Sequence, residues 1–152
     1  MMHVAFVLSV RGIPQLYAGE EIAMQGREDP DNRRDFPSEA FNSEGRTTEE
    51  QKRMFAWTRE WIRLRREHAA FRTGRLIDLY ADDETYVFAR QLPTDTVIVA
   101  FNRAAKEKRI EIPASSLGLA NNVMFRSGSL HALVTHGELS LTLPAQSAVA
   151  LE

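Results

Sequence analysis

The 152-residue sequence contains no cysteine, so no disulfide, thiolate nucleophile, iron–sulfur cluster or cysteine-ligated zinc can form within it. It has no surplus of positive charge either: 19 Lys and Arg face 21 Asp and Glu, for a net charge of −2. Without a basic field the chain cannot hold a phosphate backbone or an anionic lipid surface, and neither nucleic acid nor membrane is expected as a partner. Long apolar runs are also missing. The run at residues 4–8 is far shorter than the roughly 20 residues a membrane-spanning helix requires. No Lys or Arg precedes that run and no small-residue cleavage site follows it, so a signal peptide is not expected and a cytoplasmic location is. The four histidines, His3, His68, His131 and His136, lack the spacing of a ligand set, which argues against a metal site. At 17.3 kDa the chain is too short for a complete barrel enzyme and fits one domain, or a small domain joined to part of another.

What is present divides into two grammars. With 43% hydrophobic and 26% charged residues the chain can build a core. Residues 4–8 read as the end of a helix, with Arg11 in its last turn and Gly12 in the left-handed position that stops it. Ile13-Pro14-Gln15-Leu16-Tyr17 is short, bulky and bounded by Gly19, which predicts a buried strand with Pro14 near its start. Residues 19–46 are polar and broken by Gly26, Pro30, Pro37 and Gly45, a loop long enough to need a functional explanation. Thr47 or Thr48, with Glu50 or Gln51 three residues on, predicts a capping box and a helix start. Met54, Trp57, Trp61, Leu64 and His68 then recur at three and four spacing, widened by Phe55 and Ile62. That stripe makes core packing the better reading of the two tryptophans than a sugar-stacking platform.

After Gly74 the period changes to two. Residues 76–80, 85–91, 96–101, 108–112, 123–126, 130–135, 138–143 and 147–151 read as strands separated by short polar turns. Such spacing predicts an antiparallel sandwich in which alternation buries one face of each sheet. The boundary between the two grammars is placed near Thr73.

The loop holds one unusual cluster, Glu28-Asp29-Pro30-Asp31-Asn32-Arg33-Arg34-Asp35. It is not a calcium loop, because the positions that need glycine and glutamate hold Arg34 and Ala40. Nor are Glu20 and Glu21 a glycosidase pair, since neighbours in extended chain point to opposite sides. Carboxylate, guanidinium and amide groups together suit the hydroxyls of a sugar, and equally suit a salt-bridged surface loop.

Gly12-Ile13-Pro14-Gln15-Leu16-Tyr17-Ala18-Gly19-Glu20-Glu21-Ile22, followed by Asp29-Pro30-Asp31-Asn32-Arg33-Arg34, resembles the last barrel strand and its loop in the α-amylase family of glycoside hydrolases, nearest the neopullulanase and cyclomaltodextrinase branch. Arg65-Arg66-Glu67-His68-Ala69-Ala70-Phe71-Arg72 is similar to that family's exit from the eighth barrel helix, and Val97-Ile98-Val99-Ala100-Phe101-Asn102-Arg103 to a strand of its C-terminal sandwich. Ala18 and Asn32 depart from the tyrosine and cysteine common at those places. The resemblance implies an α+β fragment: the last strand and helix of a (β/α)8 barrel in residues 1–73, followed by an antiparallel C-terminal β-sandwich in residues 74–152. It implies no cofactor, and an α-glucan oligosaccharide as ligand of the parent enzyme. Asp29 and Arg33 match an aspartate and an arginine that contact a bound glucose unit, Tyr17 matches a tyrosine of the strand motif, and Glu21 matches its acidic position. The family's three catalytic carboxylates would all precede Met1.

A lone barrel strand has no ladder, and the stripe of Met54, Trp57, Trp61 and Leu64 needs cover. Residues 1–70 are therefore expected to repack on the sandwich, to pair with another copy in a homo-oligomer, or to bind a missing amino-terminal barrel. Hydrolysis by the chain alone is not expected. The rival expectation is a free-standing module whose sandwich or Asp29–Arg33 loop binds oligosaccharide or another subunit.

Overall fold

In the computed structural model the described residues are 1–37, 48–119, 123–127 and 130–152. The far end of the loop, residues 38–47, and with it Thr47 as an alternative helix start, lies outside them. The helices are α1 (Met2–Ser9), α2 (Glu49–Glu67) and α3 (Ala69–Thr73). Among the described residues eight strands follow: β1 (Arg75–Ala81), β2 (Thr85–Leu92), β3 (Asp95–Asn102), β4 (Lys108–Pro113), β5 (Met124–Ser127), β6 (Leu130–Thr135), β7 (Glu138–Leu143) and β8 (Ser147–Leu151).

The strands form two four-stranded antiparallel sheets, ordered β1-β2-β3-β8 and β4-β7-β6-β5. Between them lies one apolar core, in which Val87, Ala89, Ile98 and Ala100 of the first sheet meet Ile110, Ile112, Phe125, Val134, Leu139 and Leu141 of the second. The eight strands agree with the period-two reading to within one residue at each end.

Burial departs from the expected alternation in one sheet. β4 and β7 alternate as predicted, with one face left to solvent. The middle of β2 and nearly all of β3 are instead buried on both faces. The cause is a second core: Phe88, Val97, Val99 and Phe101 on the outer face of the first sheet pack with Val4, Ala5 and Leu8 of α1, Met54, Trp61 and Leu64 of α2, and Phe71 of α3. A sheet covered on both faces reads as a continuous apolar run rather than an alternating one, as Val97-Ile98-Val99-Ala100-Phe101 does. Of the three covers considered for the α2 stripe, the sandwich itself supplies one.

α2 starts as its sequence dictates. Thr48 Oγ1 accepts from Gln51 N–H at 3.1 Å and Gln51 Oε1 accepts from Thr48 N–H at 2.9 Å, completing the capping box. Glu49 and Glu50 occupy its first turn and Arg65 and Arg66 its last, as the helix dipole favours. Trp57 Nε1 donates to Met1 O at 2.9 Å, which ties the start of α1 to the middle of α2.

Two sequence expectations are corrected. α1 ends at Ser9, earlier than expected, so Arg11 lies beyond its last turn and Gly12, although at φ 104°, lies three residues past its end. Residues 13–17, predicted as the last barrel strand, form no strand. A strand exists only through hydrogen bonds to a neighbour, and among the described residues none pairs with this segment. Ile13 is accordingly 97% exposed instead of buried. Of the predicted fold class the sandwich and the helix α2 are formed, and residues 13–17 are not a strand.

Candidate functional site

The four residues singled out from the sequence lie on the chain between α1 and α2, in two local structures. The first is a tight turn. Gly19 adopts φ 97°, where a side chain would be strained and a Cβ would also meet Met24 Cβ at 2.8 Å. That geometry opens a 3-10 turn, Glu20–Ile22, whose Ile22 is fully buried against the helical layer. Glu21 Oε2 accepts from Gly19 N–H at 2.9 Å and Glu20 Oε2 from Tyr17 N–H at 3.2 Å. Glu21 is therefore a turn-forming carboxylate in this structure, and Tyr17, which leads into the turn, is exposed.

The second is the loop Asp29 to Arg34. Asp29 Oδ1 and Arg33 Nε form an ion pair at 2.7 Å, one helical turn apart across the 3-10 turn Asp31–Arg33, with side chains 61% and 71% exposed. Asp31 organises the loop from inside: its Oδ2 accepts from Arg27 N–H at 2.9 Å and its Oδ1 from Arg34 Nε at 2.8 Å. Arg34, and then the Arg27 N–H, hold the Asp31 carboxyl below the usual carboxylate range. Asp29 and Arg33 are thus brought together, whereas Tyr17 and Glu21 only belong to the same turn, the Tyr17 N–H bonding Glu20 and the Gly19 N–H bonding Glu21. Among the described residues no hydrogen bond or ion pair links one pair to the other.

Chemically, a guanidinium beside a carboxylate presents donors and acceptors side by side, the complement of neighbouring hydroxyls. The closest Asp29–Arg33 approach joins one nitrogen to one oxygen, and both side chains are mostly exposed to solvent. No group of three or more possible metal ligands converges among the described residues. No helix among them is long and apolar enough to cross a membrane.

Two arginines that sequence reading did not single out fix the loop's starting point. Arg65 of α2 donates to Leu8 O at 2.8 Å and Gly12 O at 2.7 Å. Arg90 of β2, 1% exposed, donates to Ser9 O at 2.8 Å and Gly74 O at 2.9 Å. Both cations sit where the carbonyls of α1 end unpaired, the place the helix dipole favours positive charge. Burial, then Arg65 and Arg11, push the Arg90 pKa below its ordinary value. The signal that could have exposed Arg90 is an arginine inside an otherwise apolar strand, Val87-Phe88-Ala89-Arg90.

The chain can be set beside known proteins. Residues 74–149 match the family model described as the Alpha-amylase C-terminal domain. Amylopullulanase from Thermoanaerobacterium thermosulfurigenes is 27% identical over 92% of this chain and 8% of the relative. Cyclomaltodextrinase from Thermoanaerobacter pseudethanolicus is 30% identical over 82% of this chain and 21% of the relative. Among solved structures, an α-amylase of Anoxybacillus superposes with a TM-score of 0.83 at 25% identity, covering 97% of this chain and 30% of that one. The chain therefore spans only a small part of the curated relatives it matches. With a sandwich whose sequence fits the family model and a fold shared along nearly its whole length, the chain belongs to the α-amylase family of glycoside hydrolases, whose C-terminal domain it carries.

Proposed function

We propose that the chain is the carboxyl-terminal portion of an α-glucan-acting retaining glycoside hydrolase, with residues 1–73 the closing part of its barrel and residues 74–152 its C-terminal sandwich domain. On this reading Asp29 and Arg33 grip one glucose unit of an α-glucan, Tyr17 offers an exposed ring from the preceding turn, and Glu21 helps set that turn. The enzyme acts in the cytoplasm. The observation that carries the reading is the solvent-open Asp29–Arg33 pair at 2.7 Å, on a loop of a chain that follows an α-amylase fold over 97% of its length.

The same residues do not cut. A retaining glycosidase places two carboxyl groups about 5 Å apart across the scissile bond, one to protonate the leaving oxygen and one to trap the sugar. Glu20 and Glu21 are sequence neighbours, and each commits an oxygen to a backbone N–H of its own turn. The catalytic carboxylates then come from barrel strands that precede this segment, and residues 13–17 are the stave that those strands would flank.

Incubating the purified chain with soluble starch is expected to release no reducing sugar. An open reading frame upstream of Met1 that encodes a barrel with the three carboxylates supports the assignment. In that longer enzyme Asp29→Ala and Arg33→Ala should each raise KM for maltooligosaccharides about tenfold, the loss of one charge-assisted hydrogen bond. Starch hydrolysis by the chain alone, abolished by Glu21→Gln, would refute the reading. Maltotriose binding by a chain with no such upstream frame would replace it with the free-standing module.

A further inference from the structure

A cluster of titratable groups outside the loop joins three distant parts of the chain. His68 lies between α2 and α3, where its backbone N–H donates to Leu64 O at 2.9 Å. Its Nδ1 is 2.8 Å from Asp95 Oδ1 at the start of β3, and its Nε2 is 2.6 Å from Glu152 Oε2 just past β8. An ionised carboxylate accepts and never donates, so both contacts are made together only by the doubly protonated imidazolium, whichever way the ring is turned. Burial opposes that charge, but the hydrogen bonds to Asp95 and Glu152 outweigh it and hold the His68 pKa above its ordinary value. Among the described residues two cations also act on the cluster. Arg72 of α3 acts on Asp95, and Arg63 of α2 acts on Glu152. Phe71 closes the remaining side, its ring perpendicular to the imidazole at 6.2 Å.

We propose that His68 is a protonation latch that holds the end of β8 to the junction of α2 and α3 and releases it when the ring loses a proton. When Nε2 gives its proton to solvent, its lone pair faces Glu152 Oε2, and two acceptors at hydrogen-bond distance repel. Asp95 does not leave, because its second oxygen accepts from Ala70 N–H at 2.8 Å and its side chain is 21% exposed against 44% for Glu152. Glu152 is the group that swings out. Its backbone exchanges two hydrogen bonds of 2.9 Å with Arg126, the link through which β8 of the first sheet meets β5 of the second. Opening the latch therefore loosens that edge of the sandwich. Folding raises the His68 pKa, so the latch is fully closed below the ordinary histidine value of about 6.5 and is lost as pH rises through the raised value.

NMR of the full chain from about pH 5 to about pH 9 tests this. The His68 ring is expected to titrate above the ordinary histidine value, and the amide resonances of Arg126 and Glu152 to move with the same midpoint. His68→Gln should abolish that amide titration. Glu152→Gln, at an exposed position, should lower the His68 midpoint by about one pH unit, the loss of one charge-assisted bond. Since a glutamine amide can donate to a neutral Nε2, it should also leave the Arg126 amide insensitive to pH. A His68 midpoint at or below the ordinary value, or Arg126 and Glu152 amides that stay still while the ring titrates, would overturn the proposal.

Discussion

Trp61 tests whether the helical layer and the sandwich are one folding unit. Its indole is buried in the outer core with Phe88, Val97 and Val99 of the first sheet, and Trp57 tilts against it at 5.9 Å. A tryptophan buries roughly 150–250 Å² of surface, which at about 25 cal/mol per Å² corresponds to about 5 kcal/mol as an upper figure. Large-to-small substitutions of buried aromatics span about 3–5 kcal/mol, because the cavity collapses only in part. Trp61→Ala is therefore expected to cost about 4 kcal/mol. For a chain of this length each kcal/mol moves the midpoint by about 2–4 °C, so Tm should fall by about 10 °C. Circular dichroism melts at a helix-sensitive and a sheet-sensitive wavelength should show one shared transition, shifted down together. Phe125→Ala, in the inner core between the sheets, provides the comparison. If Phe125→Ala lowers Tm while Trp61→Ala leaves the sheet transition in place, the helices are an appendage and the two-core description is refuted.

Other substitutions probe the joint between the layers. A Cβ at Gly74 would meet Ala70 O at 2.5 Å, Ala70 Cα at 2.9 Å and Gln91 O at 3.0 Å, all backbone. Gly74→Ala should therefore destabilise by about 2 kcal/mol, read as a lower urea midpoint at unchanged slope; an unchanged midpoint would contradict the close approach of α3 to β2. Arg90→Met removes two bonds of 2.8 and 2.9 Å to Ser9 O and Gly74 O. It should cost about 2 kcal/mol, since the unpaired carbonyls lose more than is regained by no longer burying a guanidinium without a carboxylate. A more stable Arg90→Met protein, by the same urea titration, would reverse that balance.

How much could be read in advance follows from how local each cause is. The eight strands were legible because alternation and turn residues are properties of consecutive positions, as in β7, where Leu139, Leu141 and Leu143 face inward. The start of α2 was legible because Thr48 and Gln51 satisfy one another within a single turn. The ends of α1 and the state of residues 13–17 were not. Residues 13–17 carry the composition of a strand but form none, because a strand needs a hydrogen-bonding neighbour and no local pattern records whether one exists. Of the candidate site, Asp29 and Arg33 were legible only through the resemblance of their loop motif, and their pairing at 2.7 Å came from the structure, as did the employment of Glu21 by its own turn, which depends on the positive φ of Gly19.

The amino-acid order alone determined a cysteine-free, mildly acidic chain with an amphipathic helix, a charged loop and a set of alternating strands, because composition, periodicity and capping act over a few residues. Only the tertiary structure decided that the first sheet is covered on both faces, that Arg65 and Arg90 clamp the end of α1, and that His68, Asp95 and Glu152 meet. Those three positions are 27 and 84 residues from one another along the chain as counted from His68. Their contact is made by the return of β8 to β3 across the sheet, a pairing that hydrogen-bond ladders and buried area select and that no short window of sequence contains.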